Sequence, residues 1–122
     1  MKQRAHILVV DDEAEILELF TRILKRGGVY SVTAVDSGGA AKKVLKEQHF
    51  DLMILDLSMP RPDGLEVLKS VRAEMPGLRI LVVSGYMGGA LLQASEILGA
   101  TRTLNKKDAP KRLLSTVATL LR

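Results

Sequence analysis

Hydrophobic and polar residues alternate along this chain in two distinct rhythms. Three short runs, residues 7–10, 52–55 and 80–83, are apolar at every position, as expected of strands covered on both faces. Between them lie longer stretches in which apolar residues recur three or four apart, the spacing of one helix face. The first strand is predicted at 6–10 and ends in Asp11-Asp12. A helix over 13–26 follows, with Ile16, Leu17, Phe20, Ile23 and Leu24 inward, stopped by Gly27-Gly28.

Residues 30–35 alternate more and suit a strand near the sheet edge. Ser37 is a fitting N-cap for a second helix over 39–48. The third strand spans 51–56, and Asp63-Gly64 opens a third helix that Met75-Pro76-Gly77 ends near residue 74. A fourth strand at 79–83 leads past Gly88-Gly89 into a helix over 90–98, and Gly99 turns the chain into a short strand at 101–104. Asp108, with Pro110 just inside, starts the last helix. Five strands alternating with five helices predict βαβ units around a parallel sheet, a doubly wound α/β domain covering residues 1–122. No output domain is expected beyond the last helix.

Composition adds limits. With no Cys, thiolate metal sites and thiol nucleophiles are excluded. The basic N-terminus is followed by an apolar run that Asp11-Asp12 cuts off too early for a signal peptide, and no window approaches a membrane span. A cytoplasmic protein with no membrane contact is therefore expected. The net charge of +4 is uneven: residues 100–122 hold six bases against one acid, leaving twelve against thirteen in the rest. A basic last helix bearing Lys111 and Arg112 suits an acidic protein surface. No aromatic residue accompanies these bases, so direct nucleic-acid contact is not expected.

In a parallel sheet the carboxyl ends of the strands share one rim, where ligands bind. That rim would collect Asp11-Asp12, Asp56, Ser84 and Lys106. Like charges in one crevice disfavour full ionisation, and a hard cation such as Mg²⁺ relieves them while also taking phosphate oxygens. A cation, an ammonium, a hydroxyl and a carboxylate together suit an acid that attacks phosphorus.

These residues sit in longer motifs: Val9-Val10-Asp11-Asp12-Glu13, then Asp56-Leu57-Ser58-Met59-Pro60-Arg61-Pro62-Asp63-Gly64, then Val82-Val83-Ser84-Gly85, then Gly99-Ala100 before Leu104-Asn105-Lys106. In this order and spacing the chain resembles a response-regulator receiver domain of the chemotaxis-regulator type, the phosphoacceptor of two-component signalling. The resemblance implies a flavodoxin-like strand order 2-1-3-4-5. It implies that Asp56 accepts a phosphoryl group from a histidine kinase or phosphotransfer protein. Mg²⁺ would be held by Asp12 directly, Asp11 through water, Asp56, and the carbonyl of Ser58. Ser84 would donate to phosphoryl oxygens, Lys106 would pair with the acid, and Gly85 would keep the site open. Such a domain is an acceptor with slow self-dephosphorylation, not a turnover enzyme.

Two positions depart from the family. Thr103 stands where an aromatic switch residue is usual, leaving Tyr86 either as its substitute or as a plain loop tyrosine. Lys107 stands where the family has Pro, which predicts a rearranged loop and leaves Lys107 a competitor for the role of Lys106. Both departures favour the alternative, a receiver-like interaction module that is not phosphorylated. A haloacid-dehalogenase-type phosphatase would need a second acid where Ser58 stands, and a flavodoxin would need a hydroxyl-rich loop where Asp-Asp-Glu stands. Crowding of the acids predicts that, without Mg²⁺, Asp12→Asn or Asp56→Asn stabilises the fold.

Overall fold

A computed structural model describes residues 4–60, 63–85 and 88–122. Its elements follow one another as β1 (Ala5–Val10), α1 (Ala14–Lys25), β2 (Tyr30–Val35), α2 (Gly38–Glu47), β3 (Leu52–Asp56) and α3 (Gly64–Glu74). Then come β4 (Arg79–Ser84), α4 (Gly88–Ile97), β5 (Arg102–Asn105), a single 3-10 turn at Lys106–Asp108, and α5 (Ala109–Leu120). The five strands form one sheet in the order β2-β1-β3-β4-β5, and each neighbouring pair is parallel. The doubly wound fold and the edge position of β2 are as expected from the sequence.

The period of two along each strand decides which helices cover which face. Leu8, Val10, Met53, Leu55, Ile80 and Val82 point to one side and pack with Ala41 and Leu45 of α2 and Val67, Leu68 and Val71 of α3. Ile7, Val9, Leu52, Ile54, Leu81 and Val83 point to the other, against Phe20, Ile23 and Leu24 of α1 and Leu113 and Val117 of α5. Every residue of β3 is buried, which is why its sequence is an apolar run rather than an alternation. Burying each such aliphatic side chain contributes roughly 1.5–3 kcal/mol, offset by the conformational entropy lost on folding.

Local chemistry sets the helix starts. The Ser37 hydroxyl accepts from the Ala40 N–H at 3.1 Å. Asp63 forms a capping box with Glu66, each side chain accepting from the other's backbone N–H. Gly64 follows because a Cβ there would collide with the backbone of Leu57 and Asp56. The start of α3 is thereby pressed against the loop that leaves β3.

Several boundaries differ from the sequence reading. Asp51 precedes β3 rather than opening it, and α4 begins at Gly88, taking in both glycines that were expected to precede it. The last strand lies one residue later than expected, because Thr101 is held outside it: its N–H donates to the Ile80 carbonyl and its hydroxyl accepts from the Ile80 N–H. Asp108 stands at the N-cap of α5 with Pro110 in the first turn, as expected; it also closes the preceding 3-10 turn, and its side chain makes no capping bond. Asn105 Oδ1 caps that turn by accepting from the Lys107 N–H at 3.1 Å.

Candidate functional site

Four strands end at one rim, and each delivers one polar residue or pair. β1 releases Asp11 and Asp12, β3 ends on Asp56, β4 ends on Ser84, and β5 leads into Lys106. The parallel register aligns them, with Asp56 beside Val83 and Ser84 beside Asn105. Asp11, Asp56 and Ser84 are all buried to 2 % exposure, while Asp12 is exposed. Side-chain oxygens of Asp11, Asp12 and Asp56 lie within 4.8 Å of one another.

One ammonium serves this crowd. Lys106 Nζ stands 2.8 Å from Asp11 Oδ2, 3.2 Å from Glu13 Oε1 and 3.6 Å from Asp56 Oδ1. Asp11 is engaged at both oxygens, since Oδ1 accepts from the Glu13 N–H at 2.8 Å. Asp56 is not: Oδ1 accepts from the Ser58 N–H at 3.2 Å, while Oδ2 is buried with no hydrogen-bond partner among the described residues. Burial first, and then the charge of Asp11, push the Asp56 carboxyl above the ordinary value of 3.8, against the pull of Lys106. Burial alone would lower the Lys106 ammonium, but the bond to Asp11 and the charge of Asp56 outweigh it and leave it raised. A simple ion pair would depress its acid. Asp56 goes the other way because burial and the like charge of Asp11 outweigh the ammonium 3.6 Å away.

The donor set fits a hard divalent cation. Three carboxylates offer oxygen ligands, one of them carries a buried oxygen with its acceptor capacity unused, and Asp12 is open to solvent. Above the cluster a hollow of about 270 Å³ is lined by Glu13, Ser58, Gly85 and Lys106. A Cβ at position 85 would lie 3.4 Å from the Lys106 stem, at the edge of ordinary contact.

Asp11, Asp12, Asp56 and Lys106 are thus brought together as the sequence predicted, with Ser58 reaching Asp56 through its N–H and Ser84 ending the neighbouring strand. Lys107 is exposed, and the ammonium paired with Asp11 and Asp56 is that of Lys106. Tyr86, proposed as the substitute for the aromatic missing at Thr103, lies outside the described residues, as do Arg61 and Pro62 of the central motif.

Three contributors were not foreseen. The link of Glu13 to Lys106 spans 93 positions and needs the topology to be visible. Arg72 clamps the far side of the fold, donating to the carbonyls of Gly99, Met75 and Pro76. Asp51 accepts from the His6 N–H at 2.8 Å and pairs with His49 at 3.2 Å. His6 lies in β1 and contacts Thr33 Oγ1 at 2.7 Å, and His49 is exposed.

Residues 7–118 match the family profile described as the response regulator receiver domain. The alginate biosynthesis transcriptional regulatory protein AlgB of Pseudomonas aeruginosa is 34% identical over 92% of this chain. The chain spans only 25% of that relative's length. The response regulator receiver protein CpdR of Brucella abortus is 28% identical over 94% of this chain and 95% of its own. Among solved structures, the response regulator protein TrrA of Thermotoga maritima, in complex with Mg(2+)-BeF, superposes with a TM-score of 0.86 at 32% identity, covering 96% of this chain and 99% of that one. The expectation of no direct nucleic-acid contact finds no support among these relatives, since AlgB is named a transcriptional regulatory protein. Among the described residues no helix is long and apolar enough to cross a membrane.

Proposed function

The chain belongs to the response regulator receiver domain family of two-component signalling, and from that premise we propose that residues 1–122 act as a phosphoacceptor in the cytoplasm, with Asp56 as the acceptor. The observation that carries this reading is Asp56 Oδ2, a buried carboxylate oxygen with no hydrogen-bond partner among the described residues, at the rim where four strands gather acids, a hydroxyl and an ammonium.

In the step we assign, an oxygen of Asp56 attacks the phosphorus of a phosphohistidine on a kinase or phosphotransfer protein. A P–O bond forms, the P–N bond breaks, and the imidazole leaves with the electron pair and takes up a proton. Lys106 offsets the charge that gathers on the transferred group, and the Ser84 hydroxyl donates to one of its oxygens. The Ser58 N–H holds Asp56 Oδ1, leaving Oδ2 as the nucleophile. Asp11, Asp12, Asp56 and the Ser58 carbonyl would hold Mg²⁺, which when bound lowers the cost of bringing a phosphoryl group to a carboxylate cluster. Water later cleaves the acyl phosphate, returning the carboxylate and releasing phosphate. The domain is thus loaded and unloaded rather than turning over a substrate of its own. Exposed Lys111 and Arg112 on α5 suit an acidic protein surface as the partner that reads the switch.

Transfer from a phosphorylated histidine donor tests the reading. Label should move to the wild-type chain with Mg²⁺, fail with a chelator, and fail in Asp56→Ala. Equal labelling of Asp56→Ala contradicts the assignment, and no labelling from any histidine donor favours the unphosphorylated interaction module.

A further inference from the structure

Lys106 is shared unequally, and the inequality has a cause on the surface. Its three carboxylate partners are Asp11, Glu13 and Asp56 at 2.8, 3.2 and 3.6 Å, so the proposed acceptor is the most distant. Glu13 differs in kind from the other two. Its side chain is 63% exposed, it lies outside the group of acids able to hold a cation, and it lines the mouth above the site. Its backbone does separate work, since the N–H donates to Asp11 Oδ1 and the carbonyl accepts from Ile16 and Leu17 at the start of α1. The side-chain carboxylate can therefore be neutralised without disturbing either the acid cluster or the helix start.

We propose that Glu13 is a positioning residue that tethers the Lys106 ammonium on the β1 side of the crevice, holding it back from Asp56 and so restraining phosphoryl transfer to that acid. This rests on the receiver reading above. As Asp56 attacks, negative charge gathers on its side of the crevice, and Lys106 is most useful there. The Glu13 pair must first be weakened, which adds to the barrier by the worth of one partly exposed ion pair.

Acetyl phosphate is the probe, because it needs no protein partner. Asp56 attacks its phosphorus, the bond from phosphorus to the acetate oxygen breaks, and acetate leaves with the electron pair. Glu13→Gln, which keeps size and backbone, should raise the rate of adduct formation at low salt by roughly two- to fivefold, the range expected from losing one exposed pair. The gain should shrink as added salt screens the charges. Glu15→Gln removes the same charge from an exposed neighbour that is not a partner of Lys106, and should leave the rate unchanged. A change caused only by repulsion of the anionic donor would persist in a Lys106→Met background, whereas loss of the tether would have no effect there.

The lysine side-chain NMR signals of Lys106 supply a readout that needs no phosphorylation: Glu13→Gln should shift them and Glu15→Gln should not. Unmoved Lys106 signals overturn the tether whatever the kinetics, as does an equal acceleration in the Lys106→Met background. Shifted signals in a protein that forms no adduct would support the tether while refuting the receiver reading, so the two failures are distinguishable.

Discussion

The two ends of β3 carry the same residue type in opposite circumstances. Asp51, just before the strand, is pinned: one oxygen accepts from the His6 N–H and the other faces His49, and the backbone bond from His6 holds its carboxyl below the ordinary value of 3.8. Asp56, ending the strand five residues on, is buried with one oxygen unpartnered among the described residues, and burial holds its carboxyl above that value. An acid satisfied by its own fold stabilises the fold. An acid left unsatisfied costs stability and keeps its chemistry available. The opposite pole has its own hollow of about 360 Å³, lined in part by His49, Asp51 and Arg79, but the acid beside it has both oxygens engaged.

The largest expected contrast is in phosphoryl gain. Asp56→Asn should abolish the adduct, while Asp51→Asn should keep its rate of formation within about twofold, because Asp51 helps only to hold β1 against the start of β3. Stability should invert the ranking. Asp51→Ala strands the His6 N–H and should lower stability by about 1 kcal/mol, whereas Asp56→Asn without Mg²⁺ should raise Tm by a few degrees, worth ~1 kcal/mol in a domain of this size. Adding Mg²⁺ should erase that advantage of Asp56→Asn, and a lower melting temperature for the variant in chelator would contradict the crowded-acid account.

The pH dependence carries opposite signs at the two ends. The folded-state value of Asp56 is raised, so the native chain binds its proton first, and acidification through that raised value toward 3.8 should increase stability. The folded-state value of Asp51 is lowered, so its contribution is present above 3.8 and is lost as pH falls through the lower folded value. Unfolding titrations in the absence of divalent cations should lose the rise in Asp56→Asn and part of the later fall in Asp51→Asn. The smallest effect concerns the paired lysines: Lys107→Ala should change adduct formation less than twofold, since Lys107 is exposed and the acids pair with Lys106.

The sequence made the architecture legible because continuous apolar runs and helical spacing are signals of burial, and burial decides a doubly wound sheet. The rim residues were legible for the same reason, since each motif sits where a buried run ends. Boundaries were harder where tertiary contacts override local preference. Gly88 and Gly89 are the first two residues of α4, outside the helix interior where glycine is costly, and Thr101 leaves β5 because its own hydroxyl takes up the Ile80 N–H. Asp51 looked like the first residue of a strand, and only the neighbouring β1 explains its pairing with His6. Glu13 and Arg72 act on partners far along the chain, which periodicity cannot reveal.

Borohydride trapping of the acyl phosphate is the most direct test of the difference between the ends of β3. An aspartyl phosphate is reduced to homoserine at the modified position alone, so sequencing the peptide that spans both acids reads each of them at once. After loading with acetyl phosphate and Mg²⁺, residue 56 should read as homoserine and residue 51 as aspartate. Homoserine at 51 or at any other acid, with residue 56 intact, would contradict the assignment.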